Sequence, residues 1–326
     1  MDDFVSTVET RISERPVNGT TESSNGRYEI AWSLDRTSDV GRALPAAVRR
    51  LREAEVESPQ LDAAVLLAHV LGVTKTWVYA HPTRQLTEAE IGRYEALVRR
   101  RMRNEPVAYL VGHKSFYGLD ITVDPRVLIP RPETEMLVER ALAEIQWVLQ
   151  DGRRPVVADI GTGSGAIAVA IACNAREATV YAVDISDAAL AVAEQNIWRY
   201  GLVEQVHLLP GHLLEALPEP ADVILANLPY VATDALAKLP PQVRDYEPLL
   251  ALDGGPDGLR VIATLLGQLA TPKGRGKLRP GGRAYLEIGS DQGDALRALA
   301  RELLPGASVE IQVDYAALDR VAVIEL

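Results

Sequence analysis

The chain predicts an α/β protein with a doubly wound, mostly parallel sheet, preceded by a small helical domain. Three observations predict it. From residue 155 onward short apolar runs alternate with helical patterns, as successive βαβ units do. A glycine loop, Asp159-Ile160-Gly161-Thr162-Gly163-Ser164-Gly165, follows the first of those runs, where folds of this architecture place a ligand. Between about 41 and 104 the apolar residues instead recur at three- and four-residue intervals, which is the period of helices.

With 326 residues, 47% of them hydrophobic, the chain can bury a large core, and two domains are expected rather than one. Residues 1–40 are rich in Ser, Thr, Asn, Asp and Glu and read as a disordered extension with a short element around Tyr28 to Trp32. The helical domain follows over 41–112. Ser58-Pro59 opens one helix, with Leu61, Val65, Leu66, Ala68 and Leu71 on its apolar face and Gly72 as its stop. Thr87-Glu88-Ala89-Glu90 opens another, with Ile91, Tyr94, Leu97 and Val98 on one face. Its last turn holds Arg99, Arg100 and Arg101, which with Arg103 form a basic cluster: either a solvated helix end or a partner-binding surface.

Residues 113–135 read as a hairpin and a link between domains. Pro130 and Pro132 hold Arg131 extended, and Thr134 is the expected cap of a helix from Glu135 to about Leu149. The sheet domain, 136–326, has seven strand candidates: Val156–Ile160, Thr179–Asp184, Val206–Leu209, Asp222–Ala226, Arg283–Ile288, Ser308–Val313 and Val321–Leu326. The last two are expected to close the sheet as an antiparallel hairpin.

Charge and cysteine content exclude several functions. A net charge of −11 argues against sequence-independent binding to a phosphate backbone, so no direct nucleic-acid contact is expected. The helical stretch 41–114 differs from the rest, with 12 Lys and Arg against 8 Asp and Glu. The single cysteine, Cys173, allows neither an internal disulfide nor a cysteine-based zinc cluster and is expected in the core. No apolar run is long enough to span a bilayer, and Asp2 and Asp3 do not suit a signal peptide, so a cytoplasmic location is expected. The histidines His69, His81, His113, His207 and His212 form no ligand-spaced pair, and no metal is expected.

In the glycine loop, Gly161, Gly163 and Gly165 allow close backbone approach to a ligand, with Thr162 and Ser164 between them. The third glycine comes one residue too early for the dinucleotide pattern, and no Gly-Lys-Ser/Thr follows to make a P-loop. Asp184, at the end of the second strand, is placed to accept two ribose hydroxyls, the alternative being a mere cap of the next helix. A ribose without a phosphate site points to S-adenosylmethionine more than to NAD or ATP. His212 and Leu213, after the third strand, stand where an adenine edge would lie. After the fourth strand comes Asn227-Leu228-Pro229-Tyr230, an amide, a rigid proline and an aromatic that suit a planar, amide-bearing acceptor.

These residues, together with Ile129-Pro130-Arg131-Pro132-Glu133-Thr134, Tyr246-Glu247-Pro248, Gly254-Gly255-Pro256-Asp257-Gly258 and Glu287-Ile288-Gly289, give the chain a resemblance to the HemK/PrmC family of protein-glutamine N5-methyltransferases over roughly 41–326. The resemblance implies a class I S-adenosylmethionine-dependent methyltransferase fold. It also implies transfer of a methyl group to the glutamine of the Gly-Gly-Gln motif in class 1 peptide chain release factors by a monomeric enzyme whose helical domain recognises the substrate. In that reading the Asn227 side-chain oxygen and the Leu228 carbonyl accept the two amide hydrogens of the glutamine, and Pro229 and Tyr230 shape the pocket. Cofactor contacts fall to Gly161, Thr162, Gly163, Ser164, Gly165, Asp184, His212, Leu213 and Asn227. The chain departs from the family at Leu228, usually proline, at His212, more often acidic, and at Leu213, in some members aromatic. Three other readings compete: a ribosomal-protein glutamine methyltransferase, an adenine-N6 methyltransferase of nucleic acid, and a non-catalytic binding protein. The basic segment 271–279, with Lys273, Arg275, Lys277 and Arg279, has no role assignable from sequence.

Overall fold

The computed structural model describes residues 33–326 and two short strands, β1 (Thr21–Glu22) and β2 (Tyr28–Glu29), which pair antiparallel. The extension expected over 1–40 otherwise lies outside the described residues as far as residue 32. Its last residues are not loose, which corrects that expectation at its C-terminal end: Leu86 N donates to the Ser38 carbonyl at 3.0 Å, and the Asp39 side chain accepts from Arg42 N at 2.9 Å to cap the first helix.

The chain divides into two compact units between Arg103 and Asn104. The first holds α1 (Val40–Glu53), α2 (Pro59–Leu71), α3 (Lys75–Ala80) and α4 (Glu88–Arg101). Thr87 and Glu90 make a reciprocal capping box on α4, and Gly72 ends α2 in the left-handed conformation at φ +66°. Ile91, Tyr94 and Val98 are buried as the helical period predicts. On α2 the expected face is met in part: Leu66 and Ala68 are buried, but Leu61 is half exposed, and Ala63, Ala64, Leu67 and Val70 are buried as well. An apolar helix has no strong stripe, and the register is set by what α2 packs against, α1 and α4. The arginine cluster is not uniformly solvated either. Arg101 turns inward and its Nε lies 2.7 Å from Asp62 Oδ2 in a buried pair.

The second unit begins with α5 (Val107–Val111) and the hairpin β3 (His113–Phe116) and β4 (Leu119–Thr122). A parallel and helical region follows: α6 (Glu135–Gln150), β5 (Val156–Ile160), α7 (Ala166–Asn174), β6 (Thr179–Asp184), α8 (Asp187–Arg199), β7 (Val206–Pro210) and β8 (Ala221–Ala226). Next come β9 (Val231–Ala232), α9 (Pro241–Arg244), β10 (Asp253–Gly255), α10 (Arg260–Ala270), α11 (Pro272–Arg275), β11 (Leu278–Glu287), α12 (Gly293–Leu303), β12 (Ser308–Val313) and β13 (Asp319–Glu325). The seven-stranded sheet runs β12-β13-β11-β8-β5-β6-β7. All neighbours from β11 to β7 are parallel, and β13 is antiparallel to both β11 and β12, so the closing hairpin is present.

Alternate residues of each strand face opposite helical layers. Val157, Val223 and Leu225 pack with α6, α7 and α8, whereas Ala158, Ile160, Ile224 and Ala226 pack with α10 and α12. Strand order reverses between β5 and β8, which places a crevice at their C-terminal ends.

The hairpin expected to link the domains belongs to the second unit. Thr122 N donates to Asn196 Oδ1 at 2.8 Å, and Asn196 Nδ2 donates back to the Thr122 carbonyl at 3.0 Å, so β4 is fastened to α8. Cys173 sits on the last turn of α7, packed against the core yet partly exposed rather than enclosed. Arg279 acquires a structural role: its Nη1 lies 2.8 Å from buried Asp222 Oδ2, whose other oxygen pairs with Arg153 at 2.6 Å. No helix among the described residues is long and apolar enough to cross a membrane.

Candidate active site

A cleft opens at the crevice between β5 and β8. It brings together Gly161, Thr162, Gly163 and Ser164 of the glycine loop but not Gly165, with Asp184 and Ile185, His212 and Leu213, Asn227, Leu228 and Pro229, the stretch from Arg126 to Thr134, and Pro248, Leu250 and Ala251.

The glycine loop is held by its own surroundings. Gly161 N and Thr162 N donate to the Val183 carbonyl at 2.8 and 2.9 Å, Gly163 N to Asp184 Oδ2 at 2.8 Å, and Gly165 N to the Thr162 carbonyl at 2.8 Å. These amides are therefore not aimed as an anion cradle, unlike those of a phosphate-binding loop. Gly161 and Gly165 have φ of +73° and +76°, and a Cβ on Gly165 would lie 3.1 Å from the Ala193 Cβ of α8. The Thr162 hydroxyl donates to Asp159 Oδ2 at 2.6 Å, which holds the loop, while the residue lines the cleft. Ser164 is buried, and its carbonyl accepts from Asn196 Nδ2 at 2.8 Å. Asp159 is fully buried, and that burial pushes its carboxyl up to about 7 against the hydrogen bonds from Thr162 and Ala168.

Asp184 is not the cap of α8, because Ser186 fills that role by accepting from Ala189 N at 3.2 Å. Its oxygens accept one backbone hydrogen each, from Gly163 N and from Ser186 N at 2.9 Å. A carboxylate has about four acceptor positions, so Asp184 keeps acceptor capacity for the hydroxyls of a ribose. Burial raises the Asp184 pKa, opposed by the backbone hydrogen bonds. The residues thus fit a nucleoside cofactor that has no phosphate near the loop. His212 lines the cleft with a half-exposed ring, and Leu213 beside it is buried at φ +55°.

On the acceptor side, Asn227 Nδ2 donates to Thr134 Oγ1 at 3.0 Å, and Thr134 Oγ1 donates to Glu287 Oε2 at 2.6 Å. Thr134 was expected to cap α6. It closes a short 3-10 turn, Pro132–Thr134, and its φ of −65° and ψ of −19° are helical, not the extended geometry of a capping residue, so its side chain makes no cap bond. Tyr230, expected to wall the pocket, is not among the lining residues. Its hydroxyl instead donates to Glu287 Oε1 at 3.2 Å, and burial raises its pKa, with the Glu287 carboxylate adding to the shift. Leu228 is buried among α10-side residues, and a Cβ on Gly161 would lie 3.1 Å from its Cδ2. The residue that departs from proline thus packs into the core while also lining the cleft.

Two further groups brace this side. Arg131 Nη2 lies 2.6 Å from Glu247 Oε1, and Ile129 N donates to Glu247 Oε2 at 3.1 Å, which ties two stretches of the cleft rim together. Gln292 Nε2 donates to the Tyr230 carbonyl at 3.0 Å. Sequence reasoning named Thr134 and Glu287 within segments of the family resemblance but gave them no role in the site, and it missed Gln292 and Asn196. A polar Asn196 on the apolar face of α8 was a readable signal; Gln292 offered none. No group of His, Cys, Asp and Glu that could hold a metal ion occurs among the described residues.

Residues 42–112 match the family model of the PrmC N-terminal domain, and residues 134–247 match that of ribosomal protein L11 methyltransferase (PrmA). The release factor glutamine methyltransferase of Moorella thermoacetica is 45% identical over 280 residues, spanning 86% of this chain and 95% of that protein. That of Rhodopirellula baltica is 38% identical over 291 residues, spanning 89% and 97%. Among solved structures, the hMettl16 catalytic domain in complex with MAT2A 3′UTR hairpin 6 aligns with a TM-score of 0.50 and 17% identity, covering 64% of this chain and 76% of that one. This last likeness is one of fold, that of the class I methyltransferases. The chain belongs to the release factor glutamine methyltransferase family.

Proposed function

We propose that this protein is an S-adenosylmethionine-dependent methyltransferase that modifies the N5 nitrogen of the Gly-Gly-Gln glutamine in class 1 peptide chain release factors. The observation that carries the reading is the side-chain amide of Asn227, set at the end of β8 beside the glycine loop and lining the same cleft. Bound there, S-adenosylmethionine supplies a methyl group on a positively charged sulfur. The remaining work falls to this chain's residues.

A carboxamide nitrogen is a poor nucleophile because its lone pair is delocalised into the carbonyl. The Asn227 oxygen and the Leu228 carbonyl accept its two hydrogens and aim the nitrogen at the methyl carbon, and such orientation lowers barriers by up to about 7–11 kcal/mol. Both acceptors bind more strongly as positive charge develops on the nitrogen, which stabilises the transition state specifically. S-adenosylmethionine held there would supply the methyl group and the sulfur leaving group, and the glutamine nitrogen would give up its proton to water. Asp184 holds the ribose, Gly161 and Gly163 let the cofactor approach the backbone, and His212 and Leu213 flank the adenine. The helical region over 41–112 grips the release factor away from its glutamine loop. We infer a cytoplasmic monomer that acts on protein without direct nucleic-acid contact, in keeping with the net charge of −11.

The test is transfer of radiolabel from S-adenosylmethionine to four acceptors: a release factor, the same factor with its Gly-Gly-Gln glutamine changed to alanine, ribosomal proteins, and adenine-containing nucleic acid. Label on the intact release factor alone is expected. Label on ribosomal protein or nucleic acid would overturn the substrate, and label on none of them would overturn the activity.

A further inference from the structure

We infer that the Thr134 hydroxyl and the Glu287 carboxylate form a positioning relay that fixes which end of the Asn227 carboxamide faces the cleft. The inference rests on the reading of Asn227 as the acceptor of the glutamine hydrogens.

The argument is one of hydrogen count. Thr134 Oγ1 has a single hydrogen. Glu287 is almost fully buried, and its Oε2 lies 2.6 Å from that hydroxyl, a distance typical of a charge-assisted O–H···O bond. Burial raises the Glu287 pKa, but each of its oxygens accepts from a hydroxyl, Oε2 from Thr134 and Oε1 from Tyr230, so the threonine hydrogen is committed to it. Toward Asn227, 3.0 Å away, Thr134 can then offer only a lone pair, and the group facing it must be the amide NH2. The Asn227 oxygen is thereby turned from Thr134 toward the cleft, the orientation that an acceptor of substrate N–H groups requires. With the amide reversed, the side chain would present hydrogens to a nitrogen that itself carries hydrogens.

The relay is anchored from its far side. Glu287 Oε1 accepts from the Tyr230 hydroxyl at 3.2 Å, so both carboxylate oxygens are occupied by hydroxyl donors. The partners come from three distant places in the chain: the turn before α6, the tetrapeptide after β8 and the end of β11. Thr134 does not take the helix-capping role that its place in the sequence suggests, and α6 starts without a side-chain cap. Thr134 and Glu287 are positioning residues, acting on the substrate through Asn227.

Thr134→Val keeps the shape of the side chain and removes the hydroxyl; Thr134→Ala does so with less bulk, should the valine not fold. Each is expected to lower kcat for methylation of a release factor about 10- to 100-fold, the scale set by a misplaced reacting group. The dissociation constant for S-adenosylmethionine and the KM for the release factor should stay within about threefold, and Thr134→Ser should recover most of the lost rate. The decisive arm is a double-mutant cycle with Asn227→Ala. A residue acting only through Asn227 has no further effect once that side chain is gone, so Thr134→Val should leave the residual kcat of Asn227→Ala unchanged. Loss of rate by Thr134→Val in both backgrounds would overturn the relay, as would a near-normal kcat for both hydroxyl-free variants beside an inactive Asn227→Ala. Near-normal turnover by Asn227→Ala would remove the relay together with the reading beneath it.

Discussion

The glycine loop and the acceptor tetrapeptide leave neighbouring parallel strands, β5 and β8, and face one another across the cleft, yet they are held by different means. The glycine loop is fixed largely from close by. Its amides reach the Val183 carbonyl and Asp184 at the end of the adjacent strand, and Asp159 and Thr162 close the turn within four residues of sequence. The tetrapeptide is fixed by side chains and backbone remote in sequence: Thr134, Glu287, Gln292 and the glycines at 254 and 258. The first arrangement makes a cofactor site nearly independent of the rest of the chain. The second couples the acceptor site to three other segments, so distant substitutions should alter turnover while sparing cofactor binding.

The largest effect should come from Gly258→Ala. An added Cβ would lie 2.3 Å from the Tyr230 carbonyl oxygen and 2.5 Å from Gln292 Nε2, at a φ of +78° that side chains rarely adopt. Something must shift, and the nearest thing is the backbone of the tetrapeptide. Expected is a fall in kcat of more than about 100-fold with cofactor affinity within about threefold by calorimetry. If cofactor affinity fell as far as kcat, the two loops would not be separable and the comparison would fail.

Next in size is Asp184→Ala, which probes the other side. It removes the acceptor of Gly163 N and the positions left for a ribose. Hydrogen bonds to a charged group contribute about 1.5–3 kcal/mol each, so a rise in the cofactor dissociation constant of about 10- to 100-fold is expected. At saturating cofactor, kcat should remain within about fivefold. A variant with unaltered affinity would return Asp184 to holding the loop alone.

What was legible in the sequence follows the same division. The glycine loop and Asp184 announce themselves because the groups that shape them are near neighbours in a strand–loop–helix unit, where spacing alone constrains geometry. Asn227 was readable as a residue, but its orientation was not. Thr134 just ahead of a helix reads as a cap by local rules, and only the fold shows that its backbone is helical and that Glu287, 153 residues away, takes its hydroxyl. Tyr230 reads as a pocket wall beside Pro229, although the same carboxylate turns its hydroxyl away from the cleft. The burial of α2 has a related cause: a helix apolar nearly all round leaves its orientation to tertiary packing, so Leu66 and Ala68 are buried as periodicity placed them while Leu61 is exposed. The parallel strands, by contrast, were legible because buried parallel strands are apolar runs bounded by turns.

The smallest effect should come from Leu228→Pro, which restores the residue usual in the family and tests a direct contact between the two loops. Leu228 is 4% exposed, and its Cδ2 lies where a side chain on Gly161 would begin. Proline would shorten that contact, a loss of about 1 kcal/mol for a few buried methyl groups. It would also restrict its own φ and hold Asn227 extended, a gain of about 0.4–1 kcal/mol through the unfolded chain. The two terms nearly cancel, so stability should change by less than about 1 kcal/mol in urea titrations and kcat by less than about threefold. The physical reason for the small kinetic effect is that the Asn227 side chain is already held by Thr134, whatever residue follows it. A gain in kcat of more than tenfold would mean that the backbone restraint, not the side-chain network, limits the placement of Asn227. An equal loss would mean that Leu228 props the glycine loop and that the two halves of the cleft are built as one.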